Sequence, residues 1–147
     1  MIKYDNLVID NNIAISSSQE IMINTIDNNE LNDNNDDIVL AEEISRLLSE
    51  TECTLSLNAR GKLARFVALI REWNDYASLV STNDIDRMAD LHLVDSLSLV
   101  SIIARLGKTR GILLDIGSGG GFPAIPLAIA LPNLRISLVE RSTKKIA

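Results

Sequence analysis

Over its first 36 residues the chain mixes isoleucine with asparagine and aspartate, as in Asn28-Asn-Glu-Leu-Asn-Asp-Asn-Asn35, and holds neither a helical nor a strand period. Residues 1–36 therefore read as a disordered, Asn/Asp-rich extension. From Asp36 the pattern changes. Ile38, Ala41, Ile44, Leu47 and Leu48 recur at helical spacing, with Asp36 and Asp37 placed to cap the helix and complement its positive end, which predicts a first helix to about Glu50. Ser56 is placed to cap a second helix, in which Leu63, Phe66, Val67, Ile70, Trp73 and Asn74 fall on neighbouring turns while Arg60, Lys62, Arg65 and Arg71 lie mainly outside. That helix should end near Asn74 or Tyr76. Asn83-Asp84 restarts the pattern through Ile85, Met88 and Leu91, and Asp95-Ser96 opens a fourth helix through Leu97, Val100, Ile103 and Leu106, stopped by Gly107.

After Gly111 the rules switch. Ile112 to Ile116 is a short apolar run that meets a glycine cluster, as a buried parallel strand does. Ala124 to Leu131 reads as a buried helix with Pro123 at its first turn, and Arg135 to Glu140 as a second strand. Strand, helix and strand make one right-handed βαβ unit. The predicted class is α/β, with a helical subdomain over residues 37–110 and the start of a doubly wound sheet over residues 111–147.

Composition narrows the chemistry. With one cysteine, Cys53, and one histidine, His92, in 147 residues, the chain has no pair for an internal disulfide and no set for a Cys/His zinc site. No stretch approaches the roughly 20 apolar residues of a membrane span, and Met1-Ile-Lys-Tyr-Asp5 lacks the apolar run of a signal peptide. The expected address is the cytoplasm, with no membrane partner. Charge is uneven: residues 1–56 hold 12 acids against Lys3 and Arg46, whereas residues 57–147 hold 12 bases against 8 acids. The part expected to fold is mildly basic and suited to approach a phosphate backbone, although the same bases also fit solvated helix faces.

Candidate chemistry concentrates in Asp115-Ile-Gly117-Ser-Gly119-Gly120-Gly121-Phe122-Pro123. Glycines let the backbone turn off a strand and approach a ligand, while the following helix start offers free N–H donors. Gly119 to Ala124 can be fitted to the dinucleotide pattern G-x-G-x-x-A, a weak signal taken alone. Glu140 closes the second strand 19 residues after Gly121, where a βαβ nucleotide site places the carboxylate that accepts ribose hydroxyls. Taken singly, Glu140 also reads as a solvated strand end and Asp115 as a loop-capping carboxylate. Together with the glycines they point to an adenosine ligand without naming a reaction.

Four blocks resemble the RsmG family, formerly glucose-inhibited division protein B, which methylates guanine N7 in small-subunit ribosomal RNA. They are Trp73-Asn74, His92-Leu-Val-Asp95-Ser96-Leu97, the run Asp115-Ile-Gly-Ser-Gly-Gly-Gly-Phe-Pro-Ala-Ile-Pro-Leu-Ala128, and Leu138-Val-Glu-Arg-Ser-Thr-Lys144-Lys145. The third is the most specific, because two prolines at the start of this helix are unusual among methyltransferase loops. The resemblance runs from about Ile38 to Ala147. It departs at Ala124, where the family usually has Gly, and at Ser78-Leu79-Val80, where it has Asn-Leu-Thr. Family members also continue into further strands that carry the adenine pocket, so the chain is expected to be an N-terminal portion.

The resemblance implies a class I, Rossmann-like methyltransferase fold, S-adenosyl-L-methionine as cofactor, and 16S ribosomal RNA in the small subunit as partner, acted on by a monomer. It places Gly117 and Phe122 against the cofactor, Gly119 and Gly121 where close approach is needed, Glu140 on the ribose, and Asp115 at the loop and methionine end. His92 and Asp95 would border the substrate pocket, although His92 between Leu91 and Leu93 also reads as a packing residue and Asp95 or Ser96 as a helix cap. Trp73 reads as core more readily than as a base-stacking platform, and Lys144 and Lys145 as solvated rather than RNA-bound. No catalytic acid or base and no metal is implied, since guanine N7 carries a lone pair and no proton. Two other readings stand beside this one: a non-catalytic fragment, because a two-stranded sheet leaves both edges open, and a nicotinamide-dinucleotide-binding Rossmann domain.

Overall fold

A computed structural model describes residues 2–4, 7–9, 35–49 and 53–141 of the chain. The expectations for Ser142 to Ala147, with Lys144 and Lys145, and for most of the N-terminal extension fall outside these residues. The first long helices are α1 (Asn35–Leu48) and α2 (Leu57–Ala77). Helix α2 starts where the cap predicts: the Ser56 hydroxyl oxygen accepts the Ala59 N–H at 3.2 Å. Its inner stripe, Leu63, Ala64, Phe66, Val67, Leu69, Ile70, Asn74 and Ala77, is buried. Leu40, Ile44 and Leu48 of α1, one turn apart, are buried in the same core. Arg60 ties the two helices, its Nε donating to the Leu55 carbonyl at 3.2 Å and its Nη1 to the Ser45 hydroxyl at 3.3 Å.

Helix α2 ends in a left-handed residue, Ser78 at φ 49°, whose N–H donates to the Asn74 carbonyl. A new helical run then begins, capped by the Ser81 hydroxyl on the Asn83 N–H at 3.3 Å. It passes without a break from a 3₁₀ segment (Thr82–Arg87) through a π turn (Ala89–Leu93) into α3 (Val94–Arg105). This corrects the expectation of two separate helices with Asp95 or Ser96 as the second cap. Ser96 is buried and gives its hydroxyl hydrogen to the His92 carbonyl at 2.5 Å, so it binds backward within a continuing helix. The physical reason lies in the apolar spacing. Met88 and Leu93 are both fully buried but five positions apart, and a π turn, with i to i+5 bonding, is the geometry that keeps that interval on one face. Helix α3 stops as predicted at Gly107, φ 65°, with the Gly107 N–H on Ala104 O at 2.9 Å and the Lys108 N–H on Ile103 O at 3.0 Å, the paired bonds of a Schellman ending.

The remaining elements are β3 (Gly111–Ile116), α4 (Ala124–Ala130) and β4 (Leu134–Val139). Strands β3 and β4 are parallel and in register from Gly111 opposite Leu134 to Ile116 opposite Val139. Among the described residues the sheet has four strands rather than two. Two short ones, β1 (Ile2–Tyr4) and β2 (Leu7–Ile9), pair antiparallel with each other, and β2 pairs with β4 at Leu7 and Ile136, giving the order β1-β2-β4-β3. The reading of residues 1–36 as unstructured throughout therefore does not hold at these six positions; three-residue strands are too short for alternation to show in the sequence.

Leu134, Ile136 and Leu138 of β4 are buried beneath the helices, in one cluster with Phe66 and Ile70 of α2 and Leu127 of α4. Each such large side chain contributes about 1.5–3 kcal/mol when fully buried. The register puts Leu113 and Asp115 on this covered side. The other side of β3 is open, with Ile112 69 %, Leu114 54 % and Ile116 76 % exposed.

Candidate functional site

The site is built where β3 ends. Gly117 turns the chain at φ 83°, a conformation that L-residues rarely adopt. Its N–H donates to the Val139 carbonyl at 2.6 Å, as does that of Ser118 at 3.2 Å, so the loop stays bound to the end of β4 as it leaves β3. The Gly121 N–H closes back on the Ser118 carbonyl at 2.7 Å, and the Gly121 carbonyl accepts the Ile125 N–H at 2.8 Å, leading the loop into α4. Ser118 is buried.

Two carboxylates stand at the carboxyl ends of the adjacent strands. Glu140, just past β4, accepts the Gly119 N–H on Oε2 at 2.8 Å and the Arg141 N–H on Oε1 at 2.8 Å. It thus clasps the glycine loop from the neighbouring strand. A carboxylate oxygen can accept from more than one donor. Asp115 accepts the Ala124 N–H at the start of α4, while its Oδ2 is buried with no hydrogen-bond partner. Burial pushes the Asp115 carboxyl above the usual carboxylate range; the Ala124 N–H opposes that rise, and the Glu140 charge nearby adds to it.

Phe122 is half-buried, its ring against two others. The Phe66 ring of α2 lies 4.9 Å away, centroid to centroid, and the His92 ring 5.5 Å away. His92 therefore reaches the loop through Phe122. Its Nε2 lies 3.7 Å from Asp84 Oδ2, beyond hydrogen-bond distance, and is buried without a hydrogen-bond partner. Asp95 is exposed near the start of α3, within the continuous helical run, and the structure does not join it to His92 as one pair. Trp73 packs against the core and meets Tyr76 edge-on at 6.3 Å.

Sequence reasoning did not single out Gly120 or Leu79. A Cβ on Gly120 would lie 3.0 Å from the Leu79 carbonyl oxygen, so the segment after α2 crosses directly against the loop. No local signal marks Leu79. Asn74 did carry one, as a polar residue on an otherwise apolar helix stripe. Among the described residues no cluster of three His, Cys, Asp or Glu could hold a metal, and no helix is long and apolar enough to cross a membrane.

A parallel strand, glycine loop, helix and strand with a carboxylate at each strand end, preceded by helices packed on one face, define the opening part of a class I methyltransferase-type α/β domain. The sequence profile of the rRNA small subunit methyltransferase G family matches residues 59–147. Among curated proteins named ribosomal RNA small subunit methyltransferase G, that of Pseudomonas putida (strain GB-1) is 40% identical over 105 residues, covering 71% of this chain and 47% of the relative. That of Chromobacterium violaceum is 47% identical over 83 residues, covering 56% and 38%, and that of Ectopseudomonas mendocina 39% identical over 105 residues, covering 71% and 48%. No solved structure gives a significant match. The chain belongs to the rRNA small subunit methyltransferase G family, and it spans about half the length of the curated relatives it matches.

Proposed function

We propose that the chain carries the cofactor-binding half of an S-adenosyl-L-methionine-dependent methyltransferase that acts on guanine N7 of 16S ribosomal RNA. The observation that carries this reading is the buried, unpartnered Asp115 Oδ2 beside a second carboxylate, Glu140, under a glycine loop. A buried carboxylate with an open acceptor position and a second acid nearby favours a ligand that brings positive charge and hydroxyl donors, and disfavours a pyrophosphate. This supports the methyl donor over a nicotinamide dinucleotide, whose pyrophosphate would lie at the glycine turn close to Asp115.

In this reading Asp115 faces the methionine end, Glu140 accepts the ribose hydroxyls, and Gly117, Gly119 and Gly121 let the ligand lie close to the backbone. Phe122, packed against Phe66 and His92, closes one wall. His92 and Asp95 border the way to the base, with His92 the nearer to the loop. The cofactor, when bound, supplies an electrophilic methyl on a sulfonium. The chain's own residues have no proton to remove, because guanine N7 presents a lone pair. Their contribution is to bind, orient and exclude water, and such alignment is worth up to about 7–11 kcal/mol in well-oriented systems. The chain is taken to act as a cytoplasmic monomer on the small subunit.

A second reading, binding without catalysis, is favoured by the open apolar side of β3, at Ile112, Leu114 and Ile116, which a doubly wound domain covers with helices. Calorimetric titration of the 147-residue chain with S-adenosylhomocysteine separates these readings from the dinucleotide one, with Gly119→Arg as a blocked loop and NAD as competitor. Saturable binding lost in the variant supports the half-site, and transfer to ribosomal RNA then decides catalysis. A folded chain that binds NAD or nothing refutes independent use of the methyl donor.

A further inference from the structure

Asn74 is the polar member of the buried stripe of α2, only 6 % exposed. A buried amide needs partners, and the side-chain and main-chain oxygens of Asn74 both bond to one short segment. Its Oδ1 accepts the Val80 N–H at 2.8 Å, and its main-chain carbonyl accepts the Ser78 N–H at 2.8 Å. One residue thus holds both ends of the segment 78–80, which the left-handed Ser78 turns back on the helix. The middle residue, Leu79, is buried, 4 % exposed.

What Leu79 is buried against is the glycine loop. A Cβ on Gly120 would stand 3.0 Å from the Leu79 carbonyl oxygen and 3.3 Å from the Leu79 Cβ. Unlike Gly117, Gly119 and Gly121, Gly120 has no positive φ. Its lack of a side chain is therefore required by the crossing segment and not by its own backbone. Leu79 packs against the loop, which is also held by the Gly117 and Ser118 bonds to Val139, the Gly119 bond to Glu140 and the Gly121 bond to Ser118.

We propose that Asn74 is a positioning residue for the glycine loop: through Val80 it sets Leu79 against Gly120 and so fixes the backbone of residues 118–121 in the form that receives the adenosyl ligand. The mention of the ligand rests on the function proposed above; the link from Asn74 to the loop does not.

Residue-resolved amide hydrogen exchange on the full 147-residue chain tests the link without any ligand. Asn74→Ala should speed exchange at the Gly119 and Gly121 N–H groups by roughly tenfold, and leave Phe66 and Val67, mid-α2, within about twofold. Gly120→Ala strikes the same contact from the other side and should loosen the same loop amides. Because the two act through one contact, the double variant should exceed the larger single effect by no more than about twofold. Unchanged loop amides in Asn74→Ala overturn the proposal, as does an equal loss at Phe66 and Val67, which would reduce Asn74 to general support. A second arm measures S-adenosylhomocysteine affinity, expected to weaken roughly tenfold in Asn74→Ala. A loosened loop with unchanged affinity overturns the positioning role. If the unsubstituted chain binds no S-adenosylhomocysteine, the function above fails, while the exchange arm still decides the link between Asn74 and the loop.

Discussion

Gly117→Ala separates two costs that usually travel together at a loop glycine. An added Cβ at this position meets nothing within 4 Å, so the steric cost in the ligand-free fold is nil. What remains is the backbone, held at φ 83°. An L-residue in the left-handed region costs roughly 1–2 kcal/mol, and the stiffer unfolded chain of alanine returns about 0.4–1 kcal/mol. The net loss should be about 0.5–1.5 kcal/mol. With a urea m-value near 1.5 kcal/mol/M the midpoint falls by roughly 0.3–1 M. Gly121→Ala is the comparison, because it combines φ 90° with an Ile125 Cδ1 that would stand 2.5 Å from the new Cβ. Its loss should be the larger. Urea unfolding followed by the fluorescence of Trp73 gives both values on one chain. The added methyl meets no protein atom, and in the function proposed above the ligand lies over this turn, so S-adenosylhomocysteine binding should weaken by more than the stability loss accounts for. A stability loss at Gly117 equal to that at Gly121, or above about 3 kcal/mol, would show that Gly117 is needed for space rather than for its φ. Undiminished affinity would refute the placement of the ligand over this turn.

Three further outcomes are expected. The folded form holds the Asp115 proton more tightly than the unfolded chain, since burial and then Glu140 raise its pKa against the opposing Ala124 N–H. This contribution to stability is therefore greatest below the ordinary carboxylate pKa and is lost as pH rises from there through the raised value. Asp115→Asn should remove that decline, its urea midpoint gaining on the parent chain across this window; a gap independent of pH would contradict the assignment. Ser78→Asn places at φ 49° a residue that tolerates the left-handed form, and the resembled family has Asn there, so stability should rise by about 0.5 kcal/mol on thermal unfolding; a loss would show that the serine is needed. Replacing Ile112, Leu114 and Ile116 together by Thr should change stability by no more than about 0.5 kcal/mol each on thermal unfolding, because these side chains are exposed on one side of β3; a larger loss would show that this side is covered in the folded chain.

What the sequence made legible was what neighbouring residues decide among themselves. Ser56 and the stripe from Leu63 to Ile70 announce α2, because cap and amphipathic period are both local. The run Ile112 to Ile116 meeting Gly117 announces β3 and its loop, and the chemistry of an acid at each strand end points to Asp115 and Glu140. Where local signals conflicted with burial, burial won. Asp95-Ser96 has the composition of a cap, yet Met88 and Leu93 share the core at an interval of five, and the helix runs on through a π turn while Ser96 bonds backward to His92. The hardest feature to read was Gly120. In sequence it is one glycine of a cluster, and its neighbours Gly119 and Gly121 offer a sufficient reason for the cluster in their positive φ. Only the fold shows that Gly120 obeys a different requirement, set by Leu79, some 40 positions earlier in the chain. A loop's sequence states what its own backbone needs, whereas what crosses it must be sought in the segment that crosses. The buried Asn74 at the end of an apolar stripe was the one trace of that segment, since a buried polar side chain needs a partner, and here the partner is the segment itself, at Val80.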